Sequence, residues 1–245
     1  MISFEGAGRR FGSKVAVHPL NLSVARGEFF AFLGPNGAGK TTTLKLAAGL
    51  LRPGEGRILV GGIDINVDPI GAKRLLAYVP DQPYLYDKLS GREFLRFVAG
   101  LYGIDVASAR PDIERFVALF DMADWIDELT ETYSHGMKQR VALASTLLHK
   151  PKVVLLDEPL VGLDPQTGRL VKGILREQAS SGTTIFMSTH VLSVAEQTAD
   201  RIGILNHGRL VALGTMDELR AKAGTPENLE DIFFRIVEAE EAKRK

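Results

Sequence analysis

Glycines, a lysine and two threonines occur together in one short segment whose spacing suits the binding of a phosphate chain. This segment, called the phosphate loop below, consists of Gly34, Pro35, Asn36, Gly37, Ala38, Gly39, Lys40, Thr41 and Thr42. It matches the spacing G-x-x-x-x-G-K-[ST]. Glycine lets successive backbone N–H groups curl around a phosphate because no Cβ stands in the way. We therefore expect these nine residues to bind a nucleotide.

Lys40 and Thr41 supply the charged and metal-binding groups of this predicted site. A helix expected to begin near Gly39 directs the positive end of its dipole at the same phosphate. Lys40 then lies beside the β- and γ-phosphates, and the Thr41 hydroxyl is a ligand of Mg²⁺. The alternative is a flexible glycine turn before an ordinary helix, in which no anion offsets the unfavourable position of Lys40 at the helix start.

Two adjacent carboxylates follow an apolar segment later in the chain. Residues 152–159 read Lys-Val-Val-Leu-Leu-Asp-Glu-Pro, which is typical of a buried parallel strand ending at Asp157 and Glu158. The carboxyl ends of such strands are where α/β proteins bind ligands. We expect Asp157 to reach the Mg²⁺ shell and Glu158, pointing elsewhere, to polarise an attacking water. Taken alone, the pair fits equally well a strand that simply ends in solvent.

Two single polar residues also follow predicted strands. Gln82 comes after a strand and before a helical region, where its amide could sense the γ-phosphate or the metal ion. His190 follows an apolar strand and is expected to open a helix, where its imidazole could donate a hydrogen bond to the γ-phosphate. The alternatives are a polar turn residue and a helix-start histidine bonded to its own backbone. Their positions at strand ends favour the functional interpretation.

The predicted strands and helices place these residues in an α/β fold. Apolar segments predict strands at residues 2–4, 22–24, 28–33, 57–60, 76–79, 152–156, 184–187, 201–205 and 209–213. Turns rich in glycine and proline near the N-terminus predict antiparallel pairing. After Lys150, alternating strands and helices predict a mainly parallel sheet.

The central part of the chain predicts a helical subdomain inserted into this fold. Ser90 and Glu93 form a capping box at the start of one helix, and Pro111 is expected to open the next. The predicted fold class is therefore α/β, a P-loop NTPase core with a mainly parallel sheet, an N-terminal antiparallel β subdomain and an inserted helical subdomain. Residues 1–245 form one domain: core and β subdomain at 1–82 and 150–220, helical subdomain at 83–149, and C-terminal helix at 221–245.

Composition restricts the classes of partner. Thirty basic and thirty acidic residues cancel, so no basic surface indicates nucleic acid as a partner. Cysteine is absent, which excludes disulfides and thiolate–metal sites and suits the cytoplasm. No signal peptide is recognisable, and no apolar run approaches the roughly 20 residues that cross a bilayer. We expect any membrane role to depend on a partner.

These motifs, together with Tyr-Ser-His-Gly-Met-Lys-Gln-Arg at residues 133–140, resemble the ATP-binding subunits of ABC transporters. The resemblance covers nearly the whole chain, from about residue 2 to residue 219. It implies that ATP is the nucleotide and Mg²⁺ its metal ion, that Phe11 stacks on adenine, and that Gln82 and Asp157 join Thr41 around the metal. It also implies that Asp164, in the D-loop at residues 162–164, binds ATP.

The resemblance further implies that the protein is an ATPase in which Glu158, His190 and Gln82 are catalytic. Residues 133–137, called the signature below, occupy the place of a motif that usually reads Leu-Ser-Gly-Gly-Gln. Ser134 and Gly136 match that motif, and the family places them against the γ-phosphate of a partner's ATP. Tyr133, His135 and Met137 depart from it, which puts the tuning of the site in question. Similarity is strongest to subunits that serve exporters.

In the family's arrangement, two ATP-binding subunits enclose two ATP molecules. The resemblance therefore implies a homodimer or a heterodimer, closed by ATP, that drives transport through an integral membrane permease on another chain. Residues around Gln82 and the helical subdomain would contact that permease. The expected location is cytoplasmic, peripheral on the inner face of the cell membrane.

Other functions remain open from the sequence. A soluble ABC ATPase, for example in iron–sulfur cluster assembly or DNA repair, shares the motifs, although no heptad repeat of the DNA-repair kind separates Lys40 from Asp157. A scaffold gated by nucleotide without hydrolysis is disfavoured by Glu158 and His190. A small GTPase is disfavoured because the chain has no Asn-Lys-x-Asp motif for guanine.

Overall fold

A computed structural model describes residues 1–224 and 228–242. The N-terminal part forms, in order, β1 (Ile2–Phe11), β2 (Lys14–Val24), β3 (Phe29–Leu33), α1 (Lys40–Ala47), β4 (Glu55–Val60), β5 (Ile63–Asp64), α2 (Pro69–Leu75) and β6 (Leu76–Val79). The helical region is α3 (Gly91–Leu101), α4 (Val106–Leu119) and α5 (His135–Leu147), with a 3₁₀ turn at Thr130–Thr132. The remainder is β7 (Val153–Asp157), α6 (Pro165–Ser180), β8 (Thr184–Thr189), α7 (Leu192–Thr198), β9 (Arg201–Asn206), β10 (Arg209–Gly214), α8 (Met216–Ala223) and α9 (Leu229–Ala242).

The strands form two sheets of different kinds. The first is antiparallel in the order β2-β1-β4-β5, and Ile2 pairs with both Val24 and Val60. The second has the order β10-β9-β3-β8-β7-β6, in which only the edge strand β10 runs antiparallel to its neighbour. The predicted fold class is thus confirmed.

The central strands of the parallel sheet are apolar because both of their faces are covered. Every residue of β3 and β7 is buried, as expected when helices and a second sheet pack on opposite faces. Phe30 points to the antiparallel sheet and makes an edge-to-face contact with Phe186, 5.0 Å between ring centroids. Phe29 points the other way and joins the core that holds the helical region. This alternation places the parallel sheet between two hydrophobic cores.

The register of the parallel sheet brings three strand ends together. Leu33 is paired with Thr189, and Asp157 is paired with Ser188. The loops that follow β3, β7 and β8 therefore leave the sheet side by side. These are the loops that contain the phosphate loop, Glu158 and His190.

Side-chain caps determine where the helices of the central region begin. The capping box is confirmed: Ser90 accepts a hydrogen bond from the backbone N–H of Glu93, and Glu93 accepts one from that of Ser90. The expectation that Pro111 opens α4 is wrong, since the helix begins at Val106 and contains Pro111. The carboxylate of Asp105 accepts hydrogen bonds from the N–H groups of Ala107 and Ser108, and this cap sets the start.

The C-terminal helix predicted at residues 221–245 corresponds in part to α9. Its residues Leu229 and Ile232 are buried against α7, α8 and β10. Residues 225–227 and 243–245 lie outside the described residues, so the correspondence extends only over Leu229–Ala242. Across the described ranges, none of the helices combines the length and hydropathy that a membrane span requires.

Candidate functional site

The phosphate loop connects the end of β3 to the start of α1, and two of its glycines have no room for a side chain. A Cβ on Gly34 would lie 2.3 Å from the carbonyl oxygen of Leu205. A Cβ on Gly39 would lie 2.4 Å from that of Ala16, and Gly39 also has a φ of 107°, which side chains disfavour. The neighbouring backbone thus requires glycine at both positions.

Helix α1 begins at Lys40, as predicted, and its N-terminus offers unpaired N–H groups. The cap residue is Gly39, which has no side chain to accept a hydrogen bond, so α1 has no side-chain cap at this end. The first N–H groups of a helix have no acceptor within the helix. Together with the helix dipole, they form a binding site for an anion.

The ammonium group of Lys40 lies inside this loop. Its Nζ donates hydrogen bonds to the carbonyl oxygens of Gly34 at 2.7 Å and Pro35 at 3.3 Å. It also lies 3.4 Å from Oε1 of Glu158, and only 6% of the Lys40 side chain is exposed. A buried ammonium group needs such partners. Its position between the loop and the carboxylate places a positive charge where the loop would hold phosphates.

Asp157, at the end of β7, is held through one of its two carboxylate oxygens. Oδ1 accepts hydrogen bonds from the hydroxyls of Ser188 at 2.6 Å and Thr41 at 3.2 Å. Oδ2 is buried and has no hydrogen-bond partner within the described part of the chain. Mg²⁺ prefers oxygen ligands. A free carboxylate oxygen beside a threonine hydroxyl therefore fits that ion chemically.

Glu158 is directed away from Asp157 by its backbone. Its φ of 50° is in the left-handed region, which costs a non-glycine residue free energy and is typical of functional sites. The backbone N–H of Glu158 is bonded to the carbonyl oxygen of Ser188 at 3.1 Å, which fixes the turn. The two side chains diverge as predicted, but because of this turn and not because strand residues alternate.

His190 and Lys40 both contact the Glu158 carboxylate. Nδ1 of His190 lies 3.1 Å from Oε1, and its backbone N–H donates to Oε2 at 3.1 Å. The carboxylate is thereby oriented between an imidazole and an ammonium group. His190 does not open a helix, since α7 begins at Leu192. An oriented carboxylate next to a phosphate site is suited to accept a proton from water.

Lys40, Thr41 and Glu158 line one cleft of about 360 Å³, and Asp157 and His190 contact it through Thr41 and Glu158. The lining residues are Phe11, Lys14, Ala16, Asn36, Gly37, Gly39, Lys40, Thr41, Thr42, Asp81 and Glu158. Phe11 is at its mouth and 46% exposed, with the guanidinium of Arg9 4.9 Å from the ring centroid. An exposed aromatic face beside a phosphate site can stack on a base.

Several residues of this site were not predicted from the sequence. Lys14 enters the cleft because the β1–β2 hairpin pairs it with Phe11, and that pairing could have suggested it. Ser188 lies on β8, two residues before His190, and contacts Asp157 through the sheet register. Asp81 lines the cleft, whereas the adjacent Gln82 is exposed and is not among the lining residues.

Ser134, Gly136 and Asp164 also lie outside the cleft of their own chain. Ser134 caps α5 by accepting a hydrogen bond from the N–H of Met137 at 3.3 Å. Asp164 caps α6 and accepts hydrogen bonds from two backbone N–H groups. A hydrogen bond with the Thr167 side chain, together with these backbone bonds, lowers the pKa of its carboxyl. Thus one chain brings together Lys40, Thr41, Asp157, Glu158 and His190, whereas Ser134, Gly136 and Asp164 do not line the cleft.

Tyr133, one of the three departures of the signature from its usual form, has a local structural role. Tyr133 is buried, and its hydroxyl accepts a hydrogen bond from the N–H of Gly91 at 3.1 Å. Three carbonyl oxygens, those of Trp125, Ile126 and Glu128, lie 3.1 Å from the same hydroxyl. Tyr133 thereby ties the signature to the start of α3, which a leucine cannot do by hydrogen bonding.

A larger cavity, about 780 Å³, lies along α6. Asp121 and Arg140 are on its wall, together with residues of α6, but no residue of the phosphate loop lines it. The smaller cleft, which is lined by Lys40, Thr41 and Glu158, is therefore the candidate functional site.

The comparisons with known proteins described here agree with one another on the family. A family model described as "ABC transporter" matches residues 17–161. Over 223 residues, the chain is 39% identical to the daunorubicin resistance ATP-binding protein DrrA3 of Streptomyces coeruleorubidus, covering 91% of this chain and 71% of that one. A solved structure described as the ATP-binding subunit of an ABC transporter is similar with a TM-score of 0.91 and 31% identity, covering 97% of this chain and 99% of that one. Another is cbiO1 of Clostridium perfringens, described as part of the ABC transporter complex cbiONQ, with a TM-score of 0.79, 28% identity and 90% coverage of each chain.

Proposed function

The chain belongs to the ABC transporter family, and from this premise we propose that two copies, or this chain and a related one, close around ATP to drive export through a separate membrane subunit. Binding and hydrolysis of ATP follow from family membership. One observation supports the rest: Lys40, Thr41 and Glu158 line the cleft, whereas Ser134 and Gly136 of the same chain are not among its lining residues.

Within the cleft, the phosphate loop holds the phosphates of ATP. Its unpaired N–H groups and Lys40 contact them, and Phe11 stacks on the adenine at the mouth. The hydrogen bonds that Lys40 now donates to Gly34 and Pro35 are available for exchange with phosphate oxygens. Phosphoryl transfer depends mainly on such positioning and on charge neutralisation.

Mg²⁺ is held by Thr41 and Asp157, with Gln82 as the third group that the sequence predicts. The free Oδ2 of Asp157 and the Thr41 hydroxyl are the oxygens that support this assignment. When bound, the ion neutralises charge on the phosphates. Gln82 is exposed, so in this proposal it reaches the site from the segment next to Asp81.

Glu158 is the general base in this proposal. Its carboxylate accepts the proton of the attacking water, and His190 holds both carboxylate oxygens in place. The side chain of His190 is 45% exposed in the single chain, so its imidazole is accessible to a further ligand. Asp164 is assigned to the ATP site across the closed interface, near the partner's nucleotide.

A second subunit completes each site. Ser134 and Gly136 are at the N-terminus of α5, where a hydroxyl and unpaired N–H groups suit an anion. In the closed dimer they bind the γ-phosphate of the ATP on the partner. ATP then acts as a ligand that stabilises the closed dimer, and hydrolysis permits opening.

The surface that contacts the membrane subunit lies near Gln82 and α3. Tyr84, Tyr86 and Phe97 are exposed there, and Tyr86 contacts both of the other rings, with centroids 5.3 Å apart for Tyr86 and Phe97. Exposed aromatic clusters mark interaction surfaces. The proposed division into core (1–82 and 150–220), helical subdomain (83–149) and C-terminal helix (221–245) lets closure move this surface. The protein would then lie on the cytoplasmic face of the membrane.

Export is supported by the name of the relative DrrA3, which is a daunorubicin resistance ATP-binding protein. The solved structure of cbiO1, described as part of a transporter complex, supports assembly with further subunits. Neither name identifies the compound that this protein would help to move.

Affinity purification from detergent-solubilised membranes tests the proposed assembly. We expect the tagged chain to retain a polypeptide with several membrane spans. A Tyr84→Ala/Phe97→Ala double variant should lose that polypeptide and keep its ATPase activity, because both rings are exposed and outside the cleft. Retention of a soluble partner alone, by both proteins, would instead favour a non-transport ABC ATPase.

A further inference from the structure

Two buried polar atoms near the cleft have no hydrogen-bond partner among the described residues. One is Oδ2 of Asp157, and the other is the hydroxyl oxygen of Tyr78. Buried polar groups are paired in the great majority of cases, because a buried group that loses its water and gains no partner destabilises the fold. The two atoms belong to neighbouring strands, and a single hydrogen bond between them would satisfy both.

The sheet register places the two side chains on one face. β6 and β7 are parallel, and Tyr78 is paired with Leu155. Asp157 is two residues further along β7, so its side chain is on the same face as that of Leu155. Tyr78 is partly buried and packs against the hydrophobic core between the two sheets, the core to which Leu155 belongs.

The electrostatic environment of Tyr78 agrees with this placement. Burial raises the pKa of the Tyr78 hydroxyl, and the carboxylates of Asp157 and Asp81 raise it further. The hydroxyl therefore stays protonated at physiological pH and remains a hydrogen-bond donor. Oδ2 of Asp157 is a nearby acceptor that has no other partner in the described part of the chain.

We propose that Tyr78 is a positioning residue for the metal site, donating a hydrogen bond from its hydroxyl to Oδ2 of Asp157. This inference rests on the proposed function, in which Asp157 holds Mg²⁺. Ser188 and Thr41 hold Oδ1, so a donor at Oδ2 fixes the plane of the carboxylate. A carboxylate oxygen has two lone pairs, so Oδ2 can accept a hydrogen bond from Tyr78 with one and face the ion with the other. A carboxylate fixed in advance binds an ion more tightly, and loss of such an outer partner typically weakens metal affinity 10- to 100-fold.

Tyr78 also connects the metal site to the segment that follows β6. Asp81, three residues later, lines the cleft, and Gln82 comes next. A carboxylate held from β6 links the metal site to the strand that leads into the helical region.

Tyr78→Phe tests this inference, because it removes one hydroxyl and retains the ring. We expect the Mg²⁺ concentration that half-saturates tight binding of a fluorescent ATP analogue to rise roughly tenfold. The affinity for the same analogue in EDTA should not change. The readout is binding, so turnover does not enter it. An unchanged Mg²⁺ requirement would overturn the inference.

Two controls separate this role from a structural one. Tyr102 borders the same small cavity as Tyr78 and stacks on His149 with ring centroids 3.8 Å apart. Tyr102→Phe should therefore keep the wild-type Mg²⁺ requirement, and an equal shift would contradict the inference. In an Asp157→Asn background, Tyr78→Phe should have no further effect on Mg²⁺. If the wild type itself binds the analogue equally well with and without Mg²⁺, the proposed metal site is wrong independently of Tyr78.

Discussion

Glu158→Gln is expected to abolish ATP turnover while ATP binding is retained. The amide has the shape of the carboxylate but cannot accept a proton from water, and a general base contributes about 10²- to 10⁴-fold to a rate. The substitution also removes a negative charge that lies 3.4 Å from the Lys40 ammonium, so affinity for a negatively charged triphosphate should not fall. Phosphate release should therefore drop by roughly 10³-fold.

The same variant should accumulate a dimer when ATP is added. If hydrolysis opens the dimer, a chain that binds ATP without hydrolysing it remains closed. Size-exclusion chromatography with and without Mg·ATP measures this directly. Glu238→Gln makes the same chemical change on an exposed residue of α9 and should behave like the wild type. Turnover of Glu158→Gln near the wild-type rate would remove Glu158 from its proposed role.

Lys40→Ala is expected to lose tight nucleotide binding. The substitution removes the charged donor that lies within the phosphate loop, and hydrogen bonds to charged groups contribute about 1.5–3 kcal/mol each. It also leaves the Glu158 carboxylate without its ammonium partner, next to where the γ-phosphate would lie. Both effects oppose binding, so the dissociation constant should rise at least about tenfold.

Titration with a fluorescent ATP analogue measures this loss. Lys45→Ala is a matched control, because Lys45 is in the last turn of the same helix and does not line the cleft. It should bind the analogue like the wild type, while thermal unfolding confirms that both variants are folded. An unchanged affinity of Lys40→Ala would contradict the phosphate-loop interpretation.

The parts of the site that depend on local geometry were predictable from the sequence. At Gly34 and Gly39, a Cβ would come within 2.4 Å of a backbone oxygen, and that requirement appears directly as glycine at fixed spacing. The apolar run before Asp157 predicts a buried strand because both faces of β7 are covered. The phosphate loop, the start of α1 and the buried strand β7 could thus be inferred.

The parts that depend on pairing between distant segments were not predictable. Ser188 bonds to Asp157 only because β7 and β8 are neighbours in this register, across 31 residues of sequence. Tyr78 approaches Asp157 for the same reason, through β6 and β7. The left-handed backbone at Glu158 depends on a bond to Ser188, so the strand pattern alone suggested the wrong cause for its direction.

In two places, the sequence pattern favoured one residue and the structure uses another. At α4, Pro111 is a residue type typical of a first turn, but it does not set the start of the helix. Asp105 sets it, because its carboxylate accepts hydrogen bonds from two N–H groups there. After β6, residue type favoured Gln82, but its neighbour Asp81 is the residue that lines the cleft. In both cases, residue type alone does not specify the outcome. The backbone geometry decides which side chain caps the helix and which one lines the cleft.

The central claim is that ATP at the phosphate loop of one chain is completed by the signature of another, and crosslinking tests it most directly. The natural chain contains no cysteine, so an Asn36→Cys/Ser134→Cys variant carries only the two introduced thiols. Both positions are exposed. In a Glu158→Gln background, oxidation with Mg·ATP should give a disulfide-linked dimer, and oxidation without nucleotide should not. A disulfide formed within one chain, or a dimer that forms equally without ATP, would contradict the account.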